Sequence, residues 1–248
     1  MTFYRFSLLL SRLFFVPKCV ACGERLPPMH PNGVLCDACR EMYDNEKEAS
    51  CPVCAARLSD CLCVPQDLPR TRVRKMAKLT RYRPSSEDVS AKIVYALKHR
   101  RLIDLQRFVA SEFVPALYPL VGNRKEWAVS FPPRSAASLR RDGFDHAALV
   151  ARSLAEALQI SYAPCLVHEK QRVAQKKLSR TARLAAAKEG YGLRKGADVL
   201  GKRVILFDDV CTSGATMTAC ARLLYKAGAK EVVFAAFAIT PSKYASRF

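Results

Sequence analysis

The sequence predicts an α/β protein with a parallel sheet and flanking helices, preceded by a small cysteine-rich module that binds zinc. Three observations lead to this class. Apolar, β-branched runs alternate with helical segments in the second half of the chain, which is typical of a parallel sheet covered on both faces. Eight of the 11 cysteines lie in residues 1–63. The 248 residues are 50% hydrophobic and 25% charged, which is ordinary for a globular protein of one or two domains.

The charge of the chain is distributed unevenly. The formal net charge is +19, from 41 Lys and Arg against 22 Asp and Glu. Residues 1–63 carry seven basic and seven acidic side chains, so the whole excess falls in residues 64–248. A segment this basic favours a polyanionic partner, either phosphate esters or nucleic acid, over a solvated surface with no specific partner. No run of about 18 apolar residues occurs, so we expect no transmembrane segment and a cytoplasmic location.

Four close cysteine pairs make up the N-terminal module. A close pair followed by a second pair is the spacing of tetrahedral thiolate zinc sites. We therefore predict two structural zinc ions, whose closed shells of four thiolates leave no open position for catalysis. The spacing allows the first pair to join either the second or the third, and a disulfide framework is the rival interpretation. The predicted ligands are Cys19, Cys22, Cys36, Cys39, Cys51, Cys54, Cys61 and Cys63.

The remaining elements follow in order along the chain. Apolar residues at helical spacing between Phe3 and Phe14 predict a short amphipathic helix. The proline-containing stretch 64–83 is predicted to be a linker or an edge segment. Ser85 or Ser86 can cap the helix that follows. Helices are predicted at 87–99, 103–117, 144–157 and 216–227, strands at 127–131, 163–167, 203–207 and 231–239, and a long basic polar segment at 168–194.

One string of nine residues carries the clearest chemistry. Asp208 and Asp209 follow a buried apolar strand, and a loop of small and hydroxylated residues then opens a helix. Ligands of parallel sheets bind beyond the carboxyl ends of strands, near a helix N-terminus. Backbone N–H groups and hydroxyls there suit a phosphate monoester, and Gly214 lets the backbone approach it closely. The string is Asp208, Asp209, Val210, Cys211, Thr212, Ser213, Gly214, Ala215 and Thr216.

Residues 204–216 resemble the 13-residue phosphoribosyl pyrophosphate (PRPP) motif of type I phosphoribosyltransferases. The resemblance implies that Asp208 and Asp209 address the ribose hydroxyls and that residues 211–216 hold the 5′-phosphate. With the cysteine pairs ahead of it, the chain is similar to the ComF family, also called the competence protein F or GntX-like family. That likeness implies a Rossmann-like type I phosphoribosyltransferase fold at 67–248, with a hood at 83–120 and a flexible loop at 168–194. An N-terminal helix and a double zinc ribbon at 1–66 would precede it.

Three further segments support the ComF resemblance. Residues 129–133 look like the strand before the family's pyrophosphate-binding loop. Residues 139–147 resemble its Arg-Gly-Phe-Asn-Gln segment, with Asp145 and His146 in place of the Asn and Gln. Residues 170–191 resemble its flexible loop. The residues expected from these segments to contact PRPP or its pyrophosphate are Pro132, Pro133, Arg134, Arg140, Arg141, Lys170 and Gln175.

The reaction that the resemblance implies is displacement of pyrophosphate from PRPP by an acceptor, with Mg²⁺ as cofactor. Charge develops on the sugar and the leaving group, so Mg²⁺ and basic side chains are the groups that stabilise it. The candidate catalytic residues are Asp208, Asp209, Arg140 and Arg141. No general base is evident, and His146 is the best placed of the histidines. The acceptor cannot be read from the sequence.

A second hypothesis comes from another class of protein. The same fold can serve a nucleotide- or single-stranded-DNA-binding accessory protein that does not turn over. The ComF resemblance links either activity to DNA uptake or nucleotide metabolism, and it suggests a competence or DNA-translocating protein as partner. The two hypotheses differ in salt dependence, because affinity for DNA through several phosphate contacts falls steeply between about 50 and 200 mM salt.

Overall fold

The computed structural model describes residues 16–27, 30, 33–51, 53–66, 68–83, 87–168 and 190–240. The strands are β1 (Met76–Arg81), β2 (Trp127–Ser130), β3 (Ser161–Tyr162), β4 (Leu166–His168), β5 (Tyr191–Leu193), β6 (Arg203–Cys211) and β7 (Glu231–Ile239). The helices are α1 (Asp37–Lys47), α2 (Val89–His99), α3 (Ile103–Leu117), α4 (Ala136–Asp142), α5 (His146–Leu158) and α6 (Ala215–Lys226). Short 3₁₀ turns lie at Leu58–Asp60, Tyr118–Leu120 and Arg124–Glu126.

A five-stranded sheet with the order β1-β7-β6-β2-β3 forms the centre of the protein, and all its pairings are parallel. The strands β4 and β5 form a separate antiparallel ribbon. The predicted fold class, a parallel sheet with flanking helices, is therefore confirmed. None of the described helices is long and apolar enough to cross a membrane.

Both faces of the sheet are buried, because alternate residues of the central strands enter two different cores. In β6, Ile205 and Phe207 pack on the side of α2, α3 and α5, whereas Val204 and Leu206 pack on the side of α6. The strand β7 alternates in the same way. Successive side chains of a strand point to opposite faces, so a continuous apolar run is what a doubly covered strand requires.

The cysteine-rich module packs against the same sheet through α1. The ring of Tyr43 is fully buried and stacks on Phe237 of β7, with centroids 6.0 Å apart. The carboxylate of Glu46 accepts hydrogen bonds from the backbone N–H groups of Val89 (2.7 Å) and Ser90 (2.9 Å) at the start of α2. Apolar residues of the module between Cys19 and Tyr43 therefore belong to one core with α2, α3 and α5.

Most predicted elements are present with small shifts of their ends. The helix 103–117 and the strand 231–239 have the predicted bounds, and β1 confirms that part of 64–83 is an edge segment. The helix α2 is capped by Asp88, whose side chain accepts from the N–H of Ala91 at 3.2 Å. Ser85 and Ser86, the predicted caps, lie outside the described residues, as does the predicted N-terminal helix.

Two predictions of strands are wrong in extent. The predicted strand 163–167 is present only as β4, which begins at Leu166, whereas β3 ends at Tyr162 and belongs to the other sheet. Pro164 between them lacks the N–H that a continuous ladder needs. The strand β6 continues beyond the predicted end at Phe207 and pairs with β7 as far as Cys211. The elements α1, α4 and β5 were not predicted.

Candidate functional site

The acidic pair lies near the carboxyl end of β6, within the strand and not in a turn after it. Asp208 is level with Ala236 of β7, and the strand continues through Asp209 to Cys211. The two carboxylates therefore point to opposite faces of the sheet. Asp208 is half-buried, whereas Asp209 is only 6% exposed.

Asp209 is held by two basic side chains from distant parts of the chain. Its Oδ2 lies 3.0 Å from Nζ of Lys98, the penultimate residue of α2, and 3.2 Å from Nε2 of His146, the first residue of α5. Its Oδ1 accepts a hydrogen bond from the N–H of Val210 at 2.8 Å. His146 is 6% exposed, so this contact is shielded from water.

The surroundings move the pKa values of the two carboxyls in opposite directions. Burial and the neighbouring charge of Asp209 raise the pKa of Asp208 well above its usual range. Burial also opposes ionisation of Asp209, but the hydrogen bond from His146 and the charges of His146 and Lys98 outweigh it and lower its pKa. One carboxyl is thus fixed as an anion, and the other gains a proton more readily than an ordinary aspartate.

The hydroxylated loop joins β6 to α6. Thr212 and Ser213 are exposed, and Gly214 is the N-cap of α6 with a left-handed φ of 66°. A Cβ added to Gly214 would lie 2.5 Å from Cγ of Leu68, which comes from the segment between the cysteine module and β1. The loop therefore presents hydroxyls and helix N–H groups on one side and is packed by Leu68 on another.

The loop after β2 is joined to the acidic pair through the start of α5. Asp145 caps α5 by accepting from the N–H of Ala148 at 3.2 Å, and its other oxygen accepts from the N–H of Arg134 at 2.9 Å. The next residue is His146, which contacts Asp209. Asp145 and His146, which replace the Asn and Gln of the ComF pattern, thus connect the loop after β2 with the acidic pair of β6.

The predicted basic residues of the site differ in their surroundings. The guanidinium of Arg134 forms an ion pair with Asp142 and donates to the carbonyl oxygen of Phe144 at 3.4 Å. Arg141 also contacts Asp142, at 3.0 Å, and these partners lower the pKa of Asp142 to about 2. Arg140 is exposed on α4. Of the predicted loop residues, Pro132 is buried and Pro133 is half-buried, while Lys170 and Gln175 lie outside the described residues.

Sequence reasoning missed two residues that the fold brings to this region. Lys98 gave no local signal, because its contact with Asp209 depends on how α2 packs over the sheet. Tyr191 of β5 lies beside the start of α6. Burial raises the pKa of Tyr191, and a hydrogen bond with Thr216 offsets only part of that rise.

The eight cysteines of the module form two clusters of four. Within each cluster the four Sγ atoms lie within 4.8 Å of one another. The first pair joins the second and the third joins the fourth, which decides between the two pairings that the spacing allows. The clusters are Cys19, Cys22, Cys36 and Cys39, and Cys51, Cys54, Cys61 and Cys63.

The clusters fit zinc by their donor set and their dimensions. Four thiolates at about 2.3 Å from a tetrahedral ion are about 3.8 Å apart. The Sγ atoms of Cys22 and Cys36 are 3.6 Å apart, and those of Cys54 and Cys61 are 3.4 Å apart. The N–H of Cys63 also points to Sγ of Cys61, at 3.2 Å, as donors do around bound thiolates. Each cluster can therefore hold one zinc ion in a closed shell.

A protein-family model matches the part of the chain that contains the acidic pair. Residues 139–247 match the model of the phosphoribosyl transferase domain. The match supports the predicted resemblance of this part of the chain to type I phosphoribosyltransferases. The phosphoribosyl transferase match begins in α4 and includes α5, β6, α6 and β7, and so contains every element around Asp208 and Asp209 except α2. No curated protein matches the chain.

Several solved structures are similar to part of the chain. Phosphoribosylpyrophosphate synthetase from Mycobacterium smegmatis is 22% identical over 56% of this chain and 35% of its own, with a TM-score of 0.34. Glutamine PRPP amidotransferase from B. subtilis is 20% identical over 58% and 30%, with a TM-score of 0.37. A hypoxanthine phosphoribosyltransferase from Staphylococcus aureus is 11% identical over 54% and 63%, with a TM-score of 0.36. The chain thus spans less than two thirds of each of these proteins.

Proposed function

We propose that this chain binds PRPP with Mg²⁺ and transfers the phosphoribosyl group to an acceptor, releasing pyrophosphate. The observation that carries the proposal is the acidic pair at the end of β6 beside the hydroxylated loop that opens α6, in a segment matching the phosphoribosyl transferase model. In the reaction, the bond between the anomeric carbon and the pyrophosphate oxygen breaks. A bond from the anomeric carbon to the acceptor forms, and the acceptor loses its proton.

Each part of the site has a role in this proposal. The N–H groups and hydroxyls of residues 212–216 bind the 5′-phosphate, because a helix N-terminus favours a dianion. Asp208, the more accessible of the two carboxylates, accepts hydrogen bonds from the ribose hydroxyls, whereas Asp209 faces the other side of the sheet. His146 and Lys98 keep Asp209 ionised and in position. Bound Mg²⁺ would offset the charge of the pyrophosphate.

The narrower assignment is to a ComF-like phosphoribosyltransferase. It is supported by two four-cysteine clusters ahead of the matched domain, which we propose hold two structural zinc ions. We also propose a cytoplasmic location and a role in DNA uptake or nucleotide metabolism, as the ComF resemblance implies. The acceptor is left open, since no base-reading set of side chains is evident in residues 87–120.

Calorimetric titration of Mg²⁺ and PRPP into the zinc-loaded protein tests the proposal. We expect micromolar affinity in the wild type and affinity at least about 100-fold weaker in Asp208→Asn/Asp209→Asn, because the hydrogen bonds of Asp208 with the ribose are weakened and the anionic partner of His146 and Lys98 is lost. A matched control, Asp198→Asn/Glu156→Gln, removes two exposed charges elsewhere and should bind like the wild type. Absence of binding by folded, zinc-loaded protein, or equal binding by both variants, would contradict the proposal.

A nucleotide- or single-stranded-DNA-binding role is the second candidate, and a basic pocket favours it. The pocket has a volume of about 490 Å³ and lies between the segment before β1 and the end of α6. Arg72 stacks on the ring of Tyr225 at 4.5 Å, and Arg222 donates to the carbonyl oxygen of Arg70 at 3.3 Å. The lining residues, Arg70, Thr71, Arg72, Arg222, Tyr225 and Lys226, include four cations and no carboxylate.

Fluorescence anisotropy with a labelled single-stranded oligonucleotide tests this second function. If the pocket binds phosphates, affinity falls steeply between about 50 and 200 mM salt, and Arg72→Gln/Arg222→Gln weakens it. The variant Asp208→Asn/Asp209→Asn should keep full affinity, since the acidic pair lies elsewhere. Binding that is insensitive to salt or to the arginine substitutions would exclude this pocket as a DNA site.

A further inference from the structure

A buried lysine lies against the second cysteine cluster, formed by Cys51, Cys54, Cys61 and Cys63. Lys78 is in the middle of β1 and is 1% exposed. Its Nζ donates to the carbonyl oxygen of Cys63 at 2.8 Å and to that of Cys61 at 3.1 Å, and it lies 3.3 Å from Sγ of Cys61. A charged side chain thus approaches both the backbone and the sulfur of one ligand.

The charge of Lys78 requires compensation. An ammonium group removed from water is strongly destabilising unless negative charge or several acceptors surround it. In the part of the chain that the structure describes, no carboxylate contacts Nζ, and its other neighbour is the carbonyl oxygen of Met76 at 3.4 Å. Four thiolates around one Zn²⁺ carry a net charge of −2, so the metal-loaded cluster supplies the missing negative charge.

The first cluster, Cys19, Cys22, Cys36 and Cys39, has the opposite surroundings. The charged group that contacts a sulfur of this cluster is an acid, since Sγ of Cys22 lies 4.0 Å from Oε2 of Glu24. Among the described residues, no lysine or arginine makes a contact like that of Lys78 with a sulfur of this cluster. The two clusters therefore have the same ligands but different electrostatic environments.

Three residues of β1 donate hydrogen bonds to the backbone around the second cluster. The N–H of Met76 donates to the carbonyl oxygen of Leu62 at 2.9 Å. The guanidinium of Arg81 donates to the carbonyl oxygen of Ser50 at 2.6 Å. Lys78 lies between these contacts and is the one that reaches the ligands themselves. The strand β1 is paired with β7, so metal in this cluster is connected directly to the central sheet.

We infer that Lys78 is the buried counter-charge of the second cysteine cluster and makes zinc there slower to leave than zinc in the first cluster. The inference is independent of whether PRPP binds. It opposes the expectation from spacing alone, because the short Cys61-x-Cys63 pair would make the second cluster the more strained of the two.

Zinc release from the full chain tests the inference. Lys78→Gln keeps a hydrogen-bond donor but removes the charge, and Lys75→Gln is the matched control, because Lys75 is half-exposed and contacts Glu231 at 3.3 Å. Native mass spectrometry during incubation with EDTA counts the zinc ions that remain, and alkylation of individual cysteines, read by peptide mass spectrometry, shows which cluster has opened. Removing groups beside metal ligands typically costs about 10- to 100-fold in affinity.

We expect Lys78→Gln to open the second cluster at least about 10-fold faster than the wild type and the first cluster at the wild-type rate. The Lys75→Gln protein should match the wild type at both. Wild-type rates at both clusters in Lys78→Gln, or a wild-type protein without zinc in the second cluster, would overturn the inference. If Lys78→Gln does not fold, the order of opening in the wild type decides, since the first cluster should open before the second and the reverse order overturns the inference.

Discussion

Asp208 and Asp209 are neighbours in the chain, but their environments oppose each other. Because β6 continues through the pair, Asp209 points to the side of α2 and α5, where Lys98 and His146 contact it. Asp208 points to the other side, where its charge raises the pKa of the buried Cys220 thiol together with burial. The raised pKa of Asp208 means that its ionised form opposes folding, whereas the lowered pKa of Asp209 means that its ionised form supports folding.

The two carboxylates should therefore respond oppositely to neutralisation. At pH 7.5 we expect Asp208→Asn to raise Tm by about 2–4 °C, equivalent to about 1 kcal/mol, and Asp209→Asn to lower it by at least as much. The benefit of Asp208→Asn should shrink as pH falls through the raised pKa of Asp208, where the wild-type carboxyl becomes neutral. The contribution of Asp209 is present above about pH 4 and is lost as pH falls below that value. Differential scanning calorimetry from about pH 2.5 to 8 checks this, and a lower Tm for Asp208→Asn at pH 7.5 would be the contrary result.

At the scale of elements, the turn from β6 to α6 depends on Gly214. The residue has a left-handed φ of 66°, and Leu68 occupies the space that a side chain would need. Leu68 belongs to the segment that leads from the second cysteine cluster to β1. The proposed phosphate loop is therefore shaped by a residue from outside the matched domain.

Alanine substitution separates the two constraints on Gly214, which are its left-handed φ and the close approach of Leu68. Gly196 also has a positive φ, of 76°, but an added Cβ there would meet no atom within 4 Å. Gly196→Ala should cost about 1–2 kcal/mol from backbone strain alone. Gly214→Ala should cost about 1–3 kcal/mol more from the collision with Leu68, and Leu68→Ala should relieve that part. Urea unfolding measures all three, and equal losses for the two glycine variants would show that Leu68 does not constrain the loop.

The sequence predicted the elements whose signals are local. The apolar runs of β6 and β7 and the helical spacing of α2 and α3 were sufficient, and the acidic pair was noticed because it directly follows the apolar run of β6. The contact of Lys98 with Asp209 and the pairing of the cysteines depend on tertiary packing, for which spacing along the chain carries no signal. The extension of β6 through Asp208 was missed because charged residues are unusual in a paired, central strand.

At the scale of the whole molecule, the cysteine module and the sheet share their cores. Cys19, Cys36 and Cys39 belong to the core that contains Tyr43 and Phe237. Cys51 and Cys61 belong to the other core, with the residues of α6. Loss of metal from the first cluster should therefore disturb packing on one face of the sheet, and loss from the second cluster should disturb packing on the other face.

Removal of zinc should lower the stability of the entire chain. Trp127 is the single tryptophan, is 1% exposed and lies in β2, far along the sheet order from β1. We expect chelation to lower the midpoint of the Trp127 fluorescence transition by about 5 °C or more, because a loss of about 2 kcal/mol has that effect in a chain of this size. The transition by circular dichroism should fall by the same amount. An unchanged fluorescence midpoint in zinc-free protein would show that the module unfolds independently.

The central claim is that PRPP binds at the end of β6 and the start of α6. Hydrogen exchange of the backbone amides, with and without Mg²⁺ and PRPP, tests it most directly, because it locates the ligand as well as detecting it. The account predicts slower exchange in peptides covering residues 208–217 and no change in peptides covering the basic pocket at Arg70–Arg72. Slower exchange at the basic pocket alone, or at neither place, would contradict the account.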